Sequence, residues 1–259
     1  MASLTTDSVL LTTRSVRTLM RQPAYLAISL VQPVIWLLLF GQLFKSVIDI
    51  PGFAHGITYL EFITPGVIMM TALFSSGWAG TVYIEDMSIG VMDRLLASPV
   101  RRGAMIIGTL AYQALTTVIQ TLIVFGIAYA AGARFPGGVT GIAVTTLSAV
   151  LIAMCIASFS NSIALLVRQQ EALIGISQFI VLPLQFLSSA VMDTELAPGW
   201  VQHVARYNPV DWAVVASREA LSASPSAGAV LPRLGALIVL AAVLGWLATR
   251  AFRTYQRSA

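Results

Sequence analysis

Residues 135–167 read FPGGVTGIAVTTLSAVLIAMCIASFSNSIALLV and contain no charged side chain. Their apolar residues are continuous rather than alternating, which is typical of a membrane-spanning helix and not of a strand in a membrane barrel. A helix needs about 20 residues to cross the hydrocarbon core of a bilayer. The Phe135-Pro136-Gly137-Gly138 turn separates this stretch from the apolar residues before it, so we predict one long span over about residues 139–167.

Five further stretches lack charged residues in the same way. Together with the first, they predict an all-α polytopic membrane protein with six transmembrane helices. The predicted spans cover about residues 24–44, 62–84, 104–131, 139–167, 172–192 and 233–250. Two connections are longer than the topology requires, the first over residues 85–102 and the second over residues 193–232.

The composition excludes several classes of protein. Charged residues make up 10% of the 259 residues, whereas a soluble globular domain carries about 25%. This excludes an ordinary soluble enzyme and a disordered chain. The net charge of +4 comes from scattered residues, so we expect no nucleic-acid partner. The single cysteine, Cys155, cannot form an intrachain disulfide and is expected to be a small buried residue.

The positive charges predict how the chain crosses the membrane. Six spans place both termini on the same side. With the N-terminus in the cytoplasm, ten Lys and Arg residues lie inside and five outside, in agreement with the positive-inside rule. We therefore expect a multi-pass protein of the cytoplasmic membrane, in contact with the lipid bilayer, with both termini in the cytoplasm.

Residues 1–22 are predicted to lie on the membrane rather than across it. On a helical wheel Arg14, Arg17 and Arg21 share one side with Asp7, and most apolar residues fall on the other. This pattern is typical of an amphipathic helix in the cytoplasmic interface, which a proline at the start of the first span would end. A disordered tail is the alternative.

Both long connections contain short helical patterns. In the first, apolar residues recur at helical spacing, Ser88 stands where an N-cap would, and Pro99 ends the pattern. The second predicts two short amphipathic helices that meet at the turn-forming pair Asn208-Pro209. Asp211 is placed to cap the second of these helices, with its charge near the positive end of the helix dipole.

Residues that would carry catalysis or hold a cofactor form no recognisable motif. The sequence has no G-x-x-x-x-G-K-[ST] phosphate loop, and its only lysine, Lys45, lies in a predicted external loop. It has no H-E-x-x-H or G-x-S-x-G motif, and both histidines, His55 and His203, fall in external segments. We expect no catalytic residue, metal or cofactor in this chain. The interiors of the predicted spans hold no ionisable residue, which argues against an ion-driven carrier.

The first long connection and several other segments resemble the membrane permeases of the ATP-binding cassette type-2 (ABC-2) exporter family, in its daunorubicin-resistance branch. The resemblance is carried by YLEFITPG at 59–66 and EDMSIGVMDRLLASPVRR at 85–102, with RQP at 21–23, FLSS at 186–189, RYNPVDW at 206–212 and Arg218 in support. It covers nearly the whole chain.

This resemblance implies a permease subunit that pairs with a second permease, as a homodimer or heterodimer. It also implies two copies of a separate cytoplasmic ATPase, which would hold ATP and Mg. The first connection would then carry a coupling helix against the ATPase, and the second would form re-entrant helices that gate the external side. The expected coupling residues are Glu85, Asp86, Ser88, Gly90, Met92, Asp93, Arg94, Leu95, Pro99, Arg101 and Arg102. The expected gate residues are Trp200, Asn208, Pro209, Asp211 and Trp212.

The cargo implied by the resemblance is a hydrophobic drug-like compound, a natural product or a lipid, moved outward. Aromatic residues of the spans are the candidates for its path, namely Trp36, Phe40, Phe74, Trp78, Phe179 and Phe186. Three alternatives remain open. They are a permease for a lipid-linked polysaccharide, a channel or scaffold that acts without ATP, and an intramembrane enzyme that uses a polar residue such as His203.

Overall fold

The computed structural model describes residues 23–44, 57–92, 94, 102–191 and 197–258, and it describes side chains within these ranges except at 23–26, 102–104 and 252–258. The described residues form helices and their connections, with no strand among them. The predicted amphipathic helix over residues 1–22 lies outside this part of the chain.

The helices agree in order with the predicted spans. Ten α-helices and one π-helical segment are found in the described residues. They are α1 (Pro23–Ile35), the π-helical segment (Trp36–Phe40), α2 (Gly41–Leu43), α3 (Tyr59–Gly77), α4 (Thr81–Ser88), α5 (Arg102–Ala130), α6 (Gly138–Val167), α7 (Gln170–Phe186), α8 (Gly199–Ala205), α9 (Pro209–Leu221) and α10 (Ala227–Ser258). A turn over residues 78–80 separates α3 from α4.

Four helical stretches in the described part of the chain are long and apolar enough to cross a bilayer. They are Tyr59–Ser88, Met105–Ala130, Gly138–Val167 and Ala227–Ala251. The first predicted span corresponds to a shorter apolar helix, Ala27–Leu43, and the fifth corresponds to α7, which has 17 residues. The structure therefore supports a polytopic helical membrane protein and four of the six predicted crossings by length.

Three helix ends differ from the predicted span bounds by several residues. The second span was expected to end at residue 84, but the helical chain continues through α4 to Ser88. The fifth was expected to reach residue 192, but α7 ends at Phe186, where the N-cap side chain of α9 binds one carbonyl in the last turn and one just after it. The sixth was expected to begin at residue 233, but α10 begins at Ala227 and contains Pro232.

Helix α6 lies at the centre of the bundle and packs against α3, α5, α9 and α10. Small side chains on α6, including Ala149, Ala153 and Ala157, are fully buried, and small residues let membrane helices approach closely. At the start of α6, the backbone N–H of Gly137 donates to the carbonyl of Leu221 at 3.0 Å. That bond fixes the end of α9 against α6.

Buried polar side chains join α5 to its neighbours. The amide of Gln113 donates to the hydroxyl of Ser75 on α3 at 3.1 Å. The amide of Gln120 donates to the hydroxyl of Ser29 on α1 at 3.0 Å. Inside a bilayer such groups have few other partners, so bonds between helices hold the bundle together.

The bundle has two distinct ends. One contains the start of α3 and Asn208, the residue before α9, and we call it the Asn208 end. There Thr58 and Glu61 form a capping box for α3. The other carboxylate oxygen of Glu61 accepts the backbone N–H of Arg134 at 2.7 Å. At the opposite end, which we call the Met92 end, Met92 packs in a buried cluster with Tyr83 on α4 and other residues of α5, α6 and α10.

Candidate functional site

The segment after α4 is a tight turn at the Met92 end. The N–H of Ile89 donates to the carbonyl of Glu85 at 3.2 Å, and the N–H of Gly90 donates to that of Met87 at 3.2 Å. Gly90 has a φ of +68°, in the left-handed region that favours glycine. The chain therefore leaves α4 sharply and turns back toward the bundle.

The predicted N-cap at Ser88 is wrong. Ser88 is the last residue of α4, and its hydroxyl donates to the carbonyl of Glu85 at 2.8 Å instead of accepting a backbone N–H. Any coupling helix therefore starts after Gly90 rather than at Ser88. Residues 91, 92 and 94 have helical geometry.

Met92 faces the bundle rather than the surface. Its side chain is 0% exposed and lies in the cluster that contains Tyr83 and Met105. It therefore anchors the segment to this chain and is not available to a partner in this conformation, contrary to the expected contact with an ATPase groove. Tyr83 strengthens the anchor, because its hydroxyl contacts the carbonyl of Met105 at 3.2 Å and the hydroxyl of Thr109 at 3.1 Å.

The other coupling candidates divide by exposure. Glu85, Ser88 and Arg94 are exposed, whereas Asp86 is buried. Ile89, which the sequence placed on the apolar face with Met92, is 63% exposed. Asp93, Leu95, Pro99 and Arg101 lie outside the described residues. Arg102 is the first residue of α5, and its side chain is also outside the described part. Among the coupling segment's described residues, one acid (Glu85) and one base (Arg94) are thus exposed on either side of the exposed apolar residue Ile89.

Asn208 organises the opposite end. Its side-chain oxygen accepts the N–H of Val210 at 2.9 Å, which caps α9, and Pro209 is the first residue of that helix. Its side-chain nitrogen donates to the carbonyls of Leu184 and Leu187 at 2.7 and 2.8 Å. One buried amide therefore begins α9 and closes the end of α7. The two helices α8 and α9 are separated at the position where the sequence predicted a turn, with Asn208 as the cap and Pro209 already in α9.

Two charged side chains of α9 hold the backbone N–H and carbonyl of one residue after α7. Asp211 accepts the N–H of Ser189 at 2.8 Å, and Arg218 donates to the carbonyl of Ser189 at 2.6 Å. We call these three residues the Ser189 clamp. Asp211 lies in the first turn of α9, as expected, but the cap is Asn208 and the Asp211 carboxylate binds a different segment.

Arg218 also ties the clamp to the start of α3. Its guanidinium lies 3.6 Å from the ring centroid of Phe62 and donates to the Phe62 carbonyl at 3.2 Å. The segment after α7 is packed so tightly that a Cβ atom at Gly66 would overlap the carbonyl oxygen of Ala190. The Asn208 end is therefore closed by specific polar contacts over close backbone packing.

The two tryptophans of the predicted gate differ in their surroundings. Trp212 is partly buried, and its ring nitrogen donates to the carbonyl of Arg206 at 2.7 Å, so it fixes the connection between α8 and α9. Trp200 on α8 is 64% exposed. Only Trp212, of this pair, is joined to the polar network at the Asn208 end.

The six aromatic residues expected along a substrate path do not come together. Trp36 and Phe40 stack with ring centroids 4.5 Å apart, and Phe74 packs against the main core. Trp78, Phe179 and Phe186 are exposed on the surface of the bundle. Within the described residues, Trp36–Phe40 is the ring contact that joins two members of this set.

The stacked pair instead begins a line of rings toward the Ser189 clamp. Phe40 stacks on Phe44 at 5.3 Å, Phe44 meets Tyr59 at 5.6 Å, and Tyr59 meets Phe62 at 6.1 Å. Phe62 is the ring under the guanidinium of Arg218. Only the first two residues of this line were expected from the sequence.

Phe179 lines an apolar groove of about 420 Å³ on the outer face of α7. Pro183 and Leu184 of the same helix form one wall, and Val204 and Tyr207 form the other. The inner face of α7 differs, because it carries buried polar atoms. Neither amide atom of Gln185 has a hydrogen-bond partner, although the side chain is 1% exposed.

The sequence did not single out Glu61, Gln185 or the contacts of Arg218. A charged residue beside an apolar run, as Glu61 and Arg218 are, is the signal that points to an interhelical bond. No such signal marks Gln185. The described residues hold no group of three or more His, Cys, Asp and Glu side chains that would bind a metal ion. Cys155 is buried with a free thiol.

Comparison with known proteins places these features in a family context. The family model described as "ABC-2 type transporter" matches residues 7–221. The daunorubicin resistance ABC transporter permease protein DrrB1 of Streptomyces coeruleorubidus is 28% identical over 198 residues, which are 76% of this chain and 68% of the relative. The putative transport permease ycf38 of Cyanophora paradoxa is 28% identical over 198 residues, 76% of this chain and 67% of the relative.

A third relative has the same kind of name. The probable doxorubicin resistance ABC transporter permease protein DrrC of Mycobacterium tuberculosis is 24% identical over 184 residues, 71% of this chain and 65% of the relative. The matched region includes the Met92 end and the Asn208 end. The resemblance that the sequence motifs indicated, including its daunorubicin-resistance branch, is thereby confirmed.

Proposed function

Because this chain belongs to the ABC-2 type transporter family, we propose that it is the permease subunit of an exporter driven by ATP hydrolysis. The observation that carries the proposal is the family match over residues 7–221, which includes both functional ends of the bundle. The long apolar helices would form the membrane-spanning part of this exporter. The sequence carries no phosphate-loop motif, so we assign ATP and Mg to a separate ATPase.

We place the ATPase contact at the Met92 end, with two copies of the ATPase per transporter. Glu85, Ile89 and Arg94 are exposed there. Opposite charges on either side of an apolar residue favour one docking register over others, since charge complementarity sets orientation. The burial of Met92 supports this role, because a segment packed against its own bundle would pass a movement of the ATPase on to the membrane spans.

We propose that the Asn208 end faces the outside and forms the external gate. This orientation follows from the positive-inside rule with six spans and both termini in the cytoplasm of the cell membrane. The Ser189 clamp and Asn208 bind four backbone groups of the chain at and beyond the end of α7. Opening at this end would require those bonds to be exchanged, so they define a closed state.

The cargo that we propose is a hydrophobic drug-like compound, a natural product or a lipid. The relatives DrrB1 and DrrC are named for daunorubicin and doxorubicin resistance. An apolar path suits such molecules, and the line of rings from Trp36 to Phe62 offers one along the first span. A second permease, identical or different, would cover the exposed aromatic residues of this chain and form the other side of the path.

Transport into inside-out membrane vesicles tests this function. Vesicles from cells that contain the chain and its native partners receive daunorubicin, and accumulation is followed with and without ATP. We expect ATP-dependent accumulation that falls at least several-fold in the Glu85→Ala/Arg94→Ala variant. The matched control is Arg134→Ala, which removes an exposed arginine at the opposite end and should leave accumulation unchanged.

The remaining outcomes separate the alternatives. Accumulation that does not depend on ATP would contradict an ATP-driven exporter and favour a channel. ATP-dependent loss of a lipid-linked polysaccharide from the donor side, without daunorubicin uptake, would contradict the proposed cargo but keep the permease.

A further inference from the structure

The helical chain is interrupted between α3 and α4, and the interruption changes the backbone hydrogen bonds. The N–H of Ala79 donates to the carbonyl of Ser76 at 3.1 Å, and the N–H of Thr81 donates to that of Trp78 at 3.0 Å. In an unbroken α-helix each N–H would bond four residues back. These tighter bonds leave the carbonyl of Gly77 and the N–H of Gly80 without their helical partners.

One hydroxyl from another helix satisfies both groups. Ser160 on α6 donates to the carbonyl of Gly77 at 2.7 Å and accepts the N–H of Gly80 at 3.0 Å. Ser160 is 0% exposed, so no water competes for this position. A buried backbone group without a partner is costly, and this is the bond that makes the bend tolerable inside the bundle.

The bend also requires a very close approach of the two helices. A Cβ atom at Gly80 would stand 2.5 Å from the carbonyl oxygen of Ser160 and 2.8 Å from the Cβ of Ala164. Real Cβ atoms do not approach backbone oxygen so closely, so the bent geometry accepts only glycine there. We call Gly77, Gly80 and Ser160 the joint.

The joint lies within the Tyr59–Ser88 stretch, toward the Met92 end. Helix α4 begins directly after it, and Tyr83 on α4 contacts the hydroxyl of Thr109 on α5 at 3.1 Å. Asn161, the residue after Ser160, binds the same hydroxyl, because its side-chain amide donates to Thr109 at 3.2 Å. Adjacent residues of α6 therefore hold both the bend and the helix that leads to the coupling segment.

We propose that Ser160 is a positioning residue for transport, which holds the joint bent in one state and releases it in another. The proposal rests on the proposed function for the meaning of the two states. In the released state α3 and α4 form one continuous helix. The carbonyl of Gly77 then accepts the N–H of Thr81, and the N–H of Gly80 donates to the carbonyl of Ser76.

Both states can satisfy the hydrogen-bonding groups of the joint. Straightening removes two bonds to Ser160 and three tight-turn bonds, and it restores helical bonds to the backbone of Gly77 and Gly80. The freed hydroxyl of Ser160 can then donate to the carbonyl four residues back in α6, as Ser162 does to Ser158. Neither state leaves a backbone group of the joint unpaired. Because both arrangements pair the backbone groups of the joint, a small force from the coupling segment would be enough to switch one into the other.

Electron-spin distance measurements on the purified chain in lipid nanodiscs test the joint. The native Cys155 is replaced by serine, and spin labels are placed at Ile89, beyond α4, and at Leu147 on α6, both exposed. Helix α4 is about 12 Å long at 1.5 Å per residue, so straightening moves the first label by several ångströms.

We expect Ser160→Ala to shift the distance distribution away from the wild-type population. The matched control is Ser162→Ala on the same helix, because its hydroxyl donates only within α6, to Ser158 at 2.7 Å. Gly80→Ala is the second variant, since its Cβ blocks the bent packing by a different route and should shift the distribution in the same direction. If Ser160→Ala does not fold, the distance distribution of Gly80→Ala tests the proposal in its place.

A wild-type distance distribution in the folded variants would overturn the proposal, as would an equal shift in Ser162→Ala. A purely structural serine would lower the yield of folded protein without moving the distribution. The measurement needs neither an ATPase nor a cargo, so its outcome is separate from that of the proposed function. In the complete transporter, the shifted variants should hydrolyse ATP with several-fold less transport per ATP.

Discussion

Asn208 shows at the scale of one residue how this fold is closed. Its amide caps α9 through one atom and ends α7 through the other. The sequence predicted a turn at this position, because Asn and Pro favour turns everywhere. It did not predict the two bonds to α7, because their partners are backbone carbonyls 21 and 24 residues away.

Asn208→Ala should destabilise the chain by about 2 kcal/mol or more. It removes an N-cap, which costs about 0.5–2 kcal/mol, and it leaves two part-buried carbonyls unpaired, at about 1–3 kcal/mol for a buried group. The free energy of unfolding in mixed detergent micelles checks this. Ser222→Ala is the control, because it removes only a local bond at the other end of α9. Equal stability of the two variants would show that the bonds to α7 contribute nothing.

Two helical glycines give a second test at this scale. Gly66→Ala should unfold the chain or lower its stability strongly, because the new Cβ overlaps the carbonyl oxygen of Ala190. Gly126→Ala meets open space and should be neutral or stabilise by up to about 1 kcal/mol, since alanine favours helix. Thermal unfolding of the two variants in the same detergent compares them directly. A Gly66→Ala variant as stable as wild type would contradict the close packing after α7.

Elements divide into those that the sequence places well and those that it does not. The expected spans 104–131 and 139–167 match α5 and α6 within about two residues. Arg102 and a glycine turn delimit these helices, and both signals are local. Ser88 was misplaced because a serine hydroxyl caps a helix start or bonds back within a helix, and the choice depends on the turn at Gly90.

The clamp between α9 and the segment after α7 is a relation between elements. No sequence pattern shows it, because Asp211 and Arg218 both bind the backbone of Ser189. The expected aromatic path shows that residue type alone does not predict which side chains lie together. The sequence suggested six aromatic candidates, but their side chains point to different sides of the helices, and three of them are exposed.

A double-mutant cycle on Asp211→Ala and Arg218→Ala should reveal coupling between the two side chains. Both bind the backbone of one residue, Ser189, on two successive peptide groups, so loss of one bond lets Ser189 move and weakens the other. We expect an interaction free energy of about 0.5–3 kcal/mol in unfolding experiments, the range for residues of one network. Additive effects of the two substitutions would mean that the N–H and the carbonyl of Ser189 are held independently.

At the scale of the whole molecule, the account depends on which end faces the cytoplasm. Single cysteines at Ile89 and Tyr207, both exposed, are introduced after Cys155 is replaced by serine. A membrane-impermeant thiol reagent added to intact cells should label Tyr207→Cys and not Ile89→Cys. Inside-out vesicles should give the reverse, and the reverse result in cells would overturn the proposed orientation.

The most direct test of the central claim is whether the chain operates with an ATPase bound at the Met92 end. The tagged chain is purified from its native membrane in mild detergent, with brief crosslinking, and ATPase activity is assayed in the eluate. The account predicts a co-purifying ATP-binding cassette ATPase whose recovery falls several-fold in Glu85→Ala/Arg94→Ala and is unchanged in Arg134→Ala. A chain recovered alone, with no ATPase even after crosslinking, would contradict the account and leave a channel or scaffold in its place.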